Sequence, residues 1–72
     1  MANKTIIDYG MTLEKATSLL AGRTVVRVET RNVPVGTVSI PERVTGLVFD
    51  NGDFLAIVSE DSTAWMEVHH NG

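Results

Sequence analysis

The stretch Arg43-Val-Thr-Gly-Leu-Val-Phe-Asp-Asn-Gly-Asp-Phe-Leu-Ala-Ile-Val-Ser59 constrains the fold more than any other part of the chain. Two β-branched and aromatic runs flank Asn51-Gly52, the residue pair that accepts positive φ at least cost. The pattern predicts a β-hairpin with a two-residue type I′ turn. With those two residues as the loop, Asp50 faces Asp53, Phe49 faces Phe54, Val48 faces Leu55, and the pairing runs back to Thr45 and Val58. One face then carries Thr45, Leu47, Phe49, Phe54, Ala56 and Val58, and the other Val44, Val48, Leu55 and Ile57. A half-exposed antiparallel strand alternates apolar and polar residues. Here both faces are apolar, so the hairpin is expected at the centre of the fold with cover on each side.

The remaining elements can be placed around it. Thr5-Ile-Ile-Asp-Tyr9 reads as a short strand or arm within residues 1–10, ended by Gly10. Residues 12–22 read as a helix over about 13–21. Thr12 stands as N-cap, Glu14 lies in the first turn, and Gly22 follows the end. Leu13, Ala16, Thr17 and Leu20 share its expected packing stripe. Residues 24–69 form the β-rich core. Thr24–Arg31 is a strand with Val26, Val28 and Thr30 on one face and Val25, Arg27, Glu29 and Arg31 on the other. Residues 32–36 connect it to a short strand at 37–40, which Pro41 makes an edge or a bend. A polar turn at 60–63 leads to a last strand, 64–69, and residues 70–72 are expected to fray. The fold class is mainly β (α+β), one domain of 72 residues. It is either a small SH3-like barrel or a strongly bent antiparallel sheet of about five strands, with one short N-terminal helix.

Val33-Pro-Val-Gly-Thr-Val38, then Val44-Thr-Gly-Leu-Val-Phe49, an acidic turn and Phe54-Leu-Ala-Ile-Val58 carry a resemblance. Over residues 24–68 the chain resembles SH3-like small β-barrel proteins. These include KOW-type modules, the photosystem I subunit IV barrel and the variable chain of ferredoxin–thioredoxin reductase. The resemblance implies a barrel and transfers no site residue. Where many of those proteins have a second glycine two residues after the threonine, this chain has Ser39. The competing architecture is an open antiparallel sheet with residues 13–21 packed across one face.

Charge is unevenly spread. Net charge is −3. Residues 1–43 hold all six basic residues against four acidic ones, a net +2. Residues 44–72 hold five acids and no base, a net −5. Either the halves neutralise each other across the fold or the chain has two electrostatically distinct surfaces. Cysteine is absent, so no disulfide or thiolate metal site is expected. No apolar run reaches the roughly 20 residues of a membrane span, and the first residues lack a signal-peptide core. A cytoplasmic protein is expected.

Candidate chemistry is sparse. His69 and His70 are adjacent, so on a strand they point to opposite faces and do not share a metal; they are expected as exposed terminal residues. Asp50-Asn-Gly-Asp53 lacks the alternating ligands of a calcium loop. The serines have no His–Asp partner set in the sequence. No enzyme and no cofactor are expected. The leading expectation is a non-catalytic protein-interaction module that binds a larger, basic protein partner or forms a homodimer. Its contact surface is placed at Trp65, Glu67, Glu60 and Asp61: Trp65 and Glu67 share one strand face, while Ala64, Met66 and Val68 make the better core face. The plain alternative for Trp65 is a core or rim residue that closes the barrel. A second reading is a nucleic-acid-associated barrel using Arg27, Arg31 and Arg43, against which the acidic balance weighs. A third is a small acidic inhibitor of the kind mobile elements encode.

Overall fold

A computed structural model describes residues 3–36 and 40–71, with Glu60 described through its backbone alone. The chain is mainly β. Its elements are β1 (Lys4–Ile7), α1 (Leu13–Leu20), β2 (Val25–Pro34), β3 (Pro41–Phe49), β4 (Phe54–Glu60) and β5 (Thr63–His69). The five strands form one antiparallel sheet in the order β1-β5-β4-β3-β2, and the sheet is not closed. Most of the short strand expected at 37–40 lies outside the described residues; Ile40 is an exposed bend. Pro41 opens β3 opposite Pro34, a strand-terminal place where its missing N–H does least harm.

The sheet bends where β3 meets β4. Those two strands share only Gly46↔Ala56, Leu47↔Leu55 and Val48↔Phe54. Beyond them, β3 runs on with β2 and β4 with β5. Gly46 permits the close approach: a Cβ there would fall on the Leu55 carbonyl oxygen and within 2.8 Å of the Phe54 ring. Both faces of the bend are packed, as the doubly apolar hairpin implies. The concave side holds Val35, Val48, Phe54, Ala56 and Val58, flanked by Val33, Val44 and Trp65. The convex side holds Ile7, Phe49, Leu55 and Val68 under Met11, Leu19 and Leu20.

The helix begins at Thr12, whose side chain accepts the Lys15 N–H at 3.2 Å. Its packing stripe differs from the expected one. Leu13 is 82% exposed and Thr17 is exposed, while Met11, Leu19 and Leu20 make the contacts. A two-turn helix joined closely to β2 docks by its last turn, and that geometry outranks the stripe read from spacing.

The hairpin turn also departs from expectation. Gly52 N–H bonds to the Phe49 carbonyl, and Phe49 N–H bonds to the Asp53 carbonyl, both at 2.9 Å. Only Gly52 has positive φ (90°); Asn51 does not. The loop therefore has three residues, a turn followed by a glycine bulge. The Asn51 side chain stabilises it by accepting the Asp53 N–H at 3.0 Å and donating to the Asp53 carboxylate at 3.1 Å. The extra residue shifts the register by one, and a one-residue slip exchanges faces. Phe49 and Phe54 consequently sit on opposite sides of the sheet rather than side by side.

The end of the chain is held rather than frayed through Asn71. Asn71 N–H donates to Asp53 Oδ1 at 2.8 Å, and His70 N–H donates to the Asn3 carbonyl at 2.8 Å.

Two substitutions test this turn, and the second separates it from a type I′ turn. Gly52→Ala should destabilise the fold by about 1–2 kcal/mol through positive φ alone, with further loss because its Cβ would press on Asn71, 2.6 Å from Nδ2. Asn51→Gly, neutral in a type I′ turn, should cost about 1 kcal/mol here through the lost side-chain bonds. Urea unfolding of both variants checks the pair.

Candidate functional site

Glu67 is the only buried charged residue, 0% exposed, among those described. It lies on β5 opposite Ala56 of β4 and Ile6 of β1, so its side chain enters the concave side. A carboxylate there needs several donors to offset desolvation, and they come from three segments. Oε2 accepts the Trp65 indole N–H and the Gly36 amide, each at 2.6 Å. Oε1 accepts from His69 Nε2 at 3.0 Å and faces Lys4 Nζ at 3.3 Å. Lys4 also donates to the carbonyls of Pro34 (2.8 Å) and Gly36 (2.6 Å). One side chain of β1 thus laces the sheet to the far end of β2, across the gap where the strands do not pair.

Burial raises the Glu67 pKa. The Trp65 N–H, the Gly36 amide and the Lys4 ammonium outweigh it and hold the carboxyl below its ordinary 4.5. Burial lowers the His69 pKa below 6.5, and Glu67 only partly restores it. His69 is therefore neutral at pH 7 and donates from Nε2.

A cleft of about 530 Å³ opens beside this network, lined by Lys4, Arg31, Val33, Pro34, His69 and His70 among others. Arg31 lies over the Phe54 ring, 4.7 Å from its centroid. His70 bridges Thr5 Oγ1 at 2.9 Å and Asp53 Oδ2 at 3.4 Å. This hydroxyl–imidazole–carboxylate row has the connectivity of a nucleophile relay, but Thr5 does not line the cleft. What the row does is fix the chain end to β1 and the β3–β4 turn. The two histidines, expected to be exposed, are half-buried and each bonded to a carboxylate. Among the described residues no group of three or more His, Asp or Glu side chains could hold a metal ion.

The residues singled out in the sequence are not brought together. Glu67 is sealed inside, which corrects its placement on an exposed face. Trp65 is half-buried, bonded to Glu67, and its rim reaches a shallow groove with Ile7, Tyr9, Ile57 and Met66. Asp61 is exposed at the β4–β5 turn with φ 51°, and the Glu60 side chain is outside the described residues. Arg27 and Arg31 share the concave face, where both pair with Glu29. Those two guanidinium groups, Arg31 first, hold the Glu29 carboxyl below its ordinary value. Arg43 pairs in register with Asn32, next to the inward Val44, and so points to the opposite face. The three arginines form no single patch.

The other prominent surface is the outer edge of β2. At ten residues it is the longest strand, and it ends the sheet. Its first half carries Val25, Val26 and Val28 at 47%, 52% and 65% exposure. The register slips between Val25 and Arg27, a β-bulge at Val26 that brings Val25 round to the face of Val28.

The network makes two measurable demands. Glu67→Gln leaves one acceptor oxygen for four donors, and removing one partner of a buried pair costs about 3–5 kcal/mol; denaturant unfolding followed by the single Trp65 should show a loss of that order. For pH, the folded pKa of His69 lies below its unfolded value, so protonation opposes folding. Stability should be full above about pH 6.5 and fall as pH drops through the folded His69 pKa. Glu67 and Asp53, both lowered in the fold, add a second loss below about pH 4.5. His69→Gln should remove the first limb and keep the second.

Compared with protein-family models, curated proteins and solved structures, the chain matches none of them.

Proposed function

We propose that this chain is a non-catalytic protein-interaction module that accepts an extended segment of a protein partner along the open edge of β2. One observation carries the reading. A long terminal strand, which pairs with no other strand than β3 among the described residues, presents its outer backbone edge together with three exposed valines. An exposed apolar edge is a template for strand addition: main-chain hydrogen bonds supply affinity and alternate side chains supply specificity. The partner segment that fits has apolar residues to meet Val28 on the convex side. On the other side it has charges that alternate in sign, to complement Arg27, Glu29 and Arg31. On this reading the bent, SH3-like scaffold serves to display the edge, and the Glu67 network sets its shape.

The acidic turn is the rival contact surface, and amide exchange separates the two. With a purified partner bound, exchange should slow at the β2 amides of residues 25–29, and Val28→Lys should abolish binding without loss of fold. Protection centred on Asp61 and Trp65, with Val28→Lys binding normally, would assign the contact to the acidic half and overturn the edge reading.

A further inference from the structure

We infer that the segment fitting β2 is β2 of a second copy, antiparallel, with the two-fold axis at Val28. The inference rests on the edge reading above and adds the identity of the partner and the register.

Two features of β2 lead to it. The first is the row of convex-face neighbours Val68–Leu55–Leu47–Val28, each opposite the next across β5, β4, β3 and β2. Val68 and Leu55 are buried, Leu47 is half-buried, and the row ends in the open at Val28. A second Val28 across the axis continues the row and covers its exposed end.

The second is charge. A two-fold axis normal to the sheet preserves faces, so it must pass through a pair of identical residues. At Arg27 the axis would set Arg27 against Arg27. At Glu29 it would set Glu29 against Glu29 and Arg27 against Arg31. Like charges directly opposite are destabilising. At Val28 the axis sets Arg27 against Glu29 twice, Val28 against Val28 and Val26 against Thr30. An axis at Thr30 also pairs opposite charges, Glu29 with Arg31, but leaves Val28 against Asn32. Only the Val28 register satisfies charge and buries the valine. The bulge at Val26 bounds the ladder to about five residues per strand, so the dimer is small and exchanges readily.

The chain has no cysteine, so single-cysteine variants report the register directly. Opposed residues in an antiparallel pair have Cα atoms about 4.5–5.5 Å apart, within disulfide range. Under mild oxidation at high protein concentration, Val28→Cys should form covalent dimers roughly tenfold faster than Ser62→Cys, an exposed control in the β4–β5 turn. Faster dimerisation of Thr30→Cys than of Val28→Cys would overturn the Val28 register. In sedimentation of the cysteine-free chain, Arg27→Glu and Glu29→Arg should each weaken self-association, and the double exchange R27E/E29R should restore it; failure of the exchange to restore it also overturns the register. A monomer at millimolar concentration, with Val28→Cys no faster than the control, would overturn the second copy as partner. In that event, loss of a purified partner's binding in Val28→Lys would leave the edge reading standing, and unimpaired binding would remove both.

Discussion

The architecture depends on a carboxylate with no access to water. Glu67 stays ionised inside a 72-residue fold because four donors converge on it, and those donors lie on β1, on β5 and in the connector that leaves β2. A buried ion without its partners costs several kcal/mol, so the fold must bring the three donor segments together around Glu67. That requirement holds the end of β2 beside β1 through the Lys4 side chain and makes a corner in an otherwise open sheet. Backbone pairing alone does not supply that corner, since β1 and β2 are the two ends of the sheet.

The bend has a steric source as well. Gly46 lets β3 approach Leu55, the Phe54 ring fills the space that a side chain at Gly46 would occupy, and Arg31 stacks on that ring. Phe54 also meets His69, ring to ring at 6.2 Å. From Glu29 through Arg31, Phe54 and His69 to Glu67, side chains are therefore in continuous contact from the open edge to the buried charge. The two apolar layers are consequences of the same bend: one is enclosed by it and the other is left outside for the last turn of α1 to cover.

Most of the element plan was legible in the sequence, because it follows from local rules. Thr12 and Gly22 bracket the helix, alternation marks the strands, and two apolar faces place β3 and β4 inside. What failed depends on chemistry far along the chain or on a single residue of count. Asn51-Gly52 fits two turn types, and the choice between them lies in the Asn51 side chain bonding to Asp53, which propensity does not weigh. Glu67 between Met66 and Val68 looks like the wet side of a strand. Its principal cation, Lys4, is 63 positions away, so only the folded chain reveals the pair. The same blindness applied to His69 and His70, which near a terminus read as loose ends and are fixed by two carboxylates, Glu67 on β5 and Asp53 in the β3–β4 turn. The exposure of Val25 and Val28 was hidden by the bulge at Val26, since alternation assigns those two residues to different faces.

Strand lengths explain why the edge stays open. β1 has four residues and all four pair with β5; β2 has ten. Even full pairing of the four residues of β1 against β2 would leave more than half of its ten residues uncovered, so a meander of these lengths cannot close completely. Edge strands are commonly blunted by bulges, charges or proline. β2 has a bulge at Val26 and the charged set Arg27, Glu29 and Arg31, but the charges fold inward over the concave face, where Glu29 holds both arginines. They leave the convex side of the edge to valine. Charge that points in is one of the devices that guard an edge against an arbitrary strand. On the strand-addition proposal, a strand that adds here would have to carry its own charges in the order that matches Arg27, Glu29 and Arg31, which the Glu29 pairings keep in place.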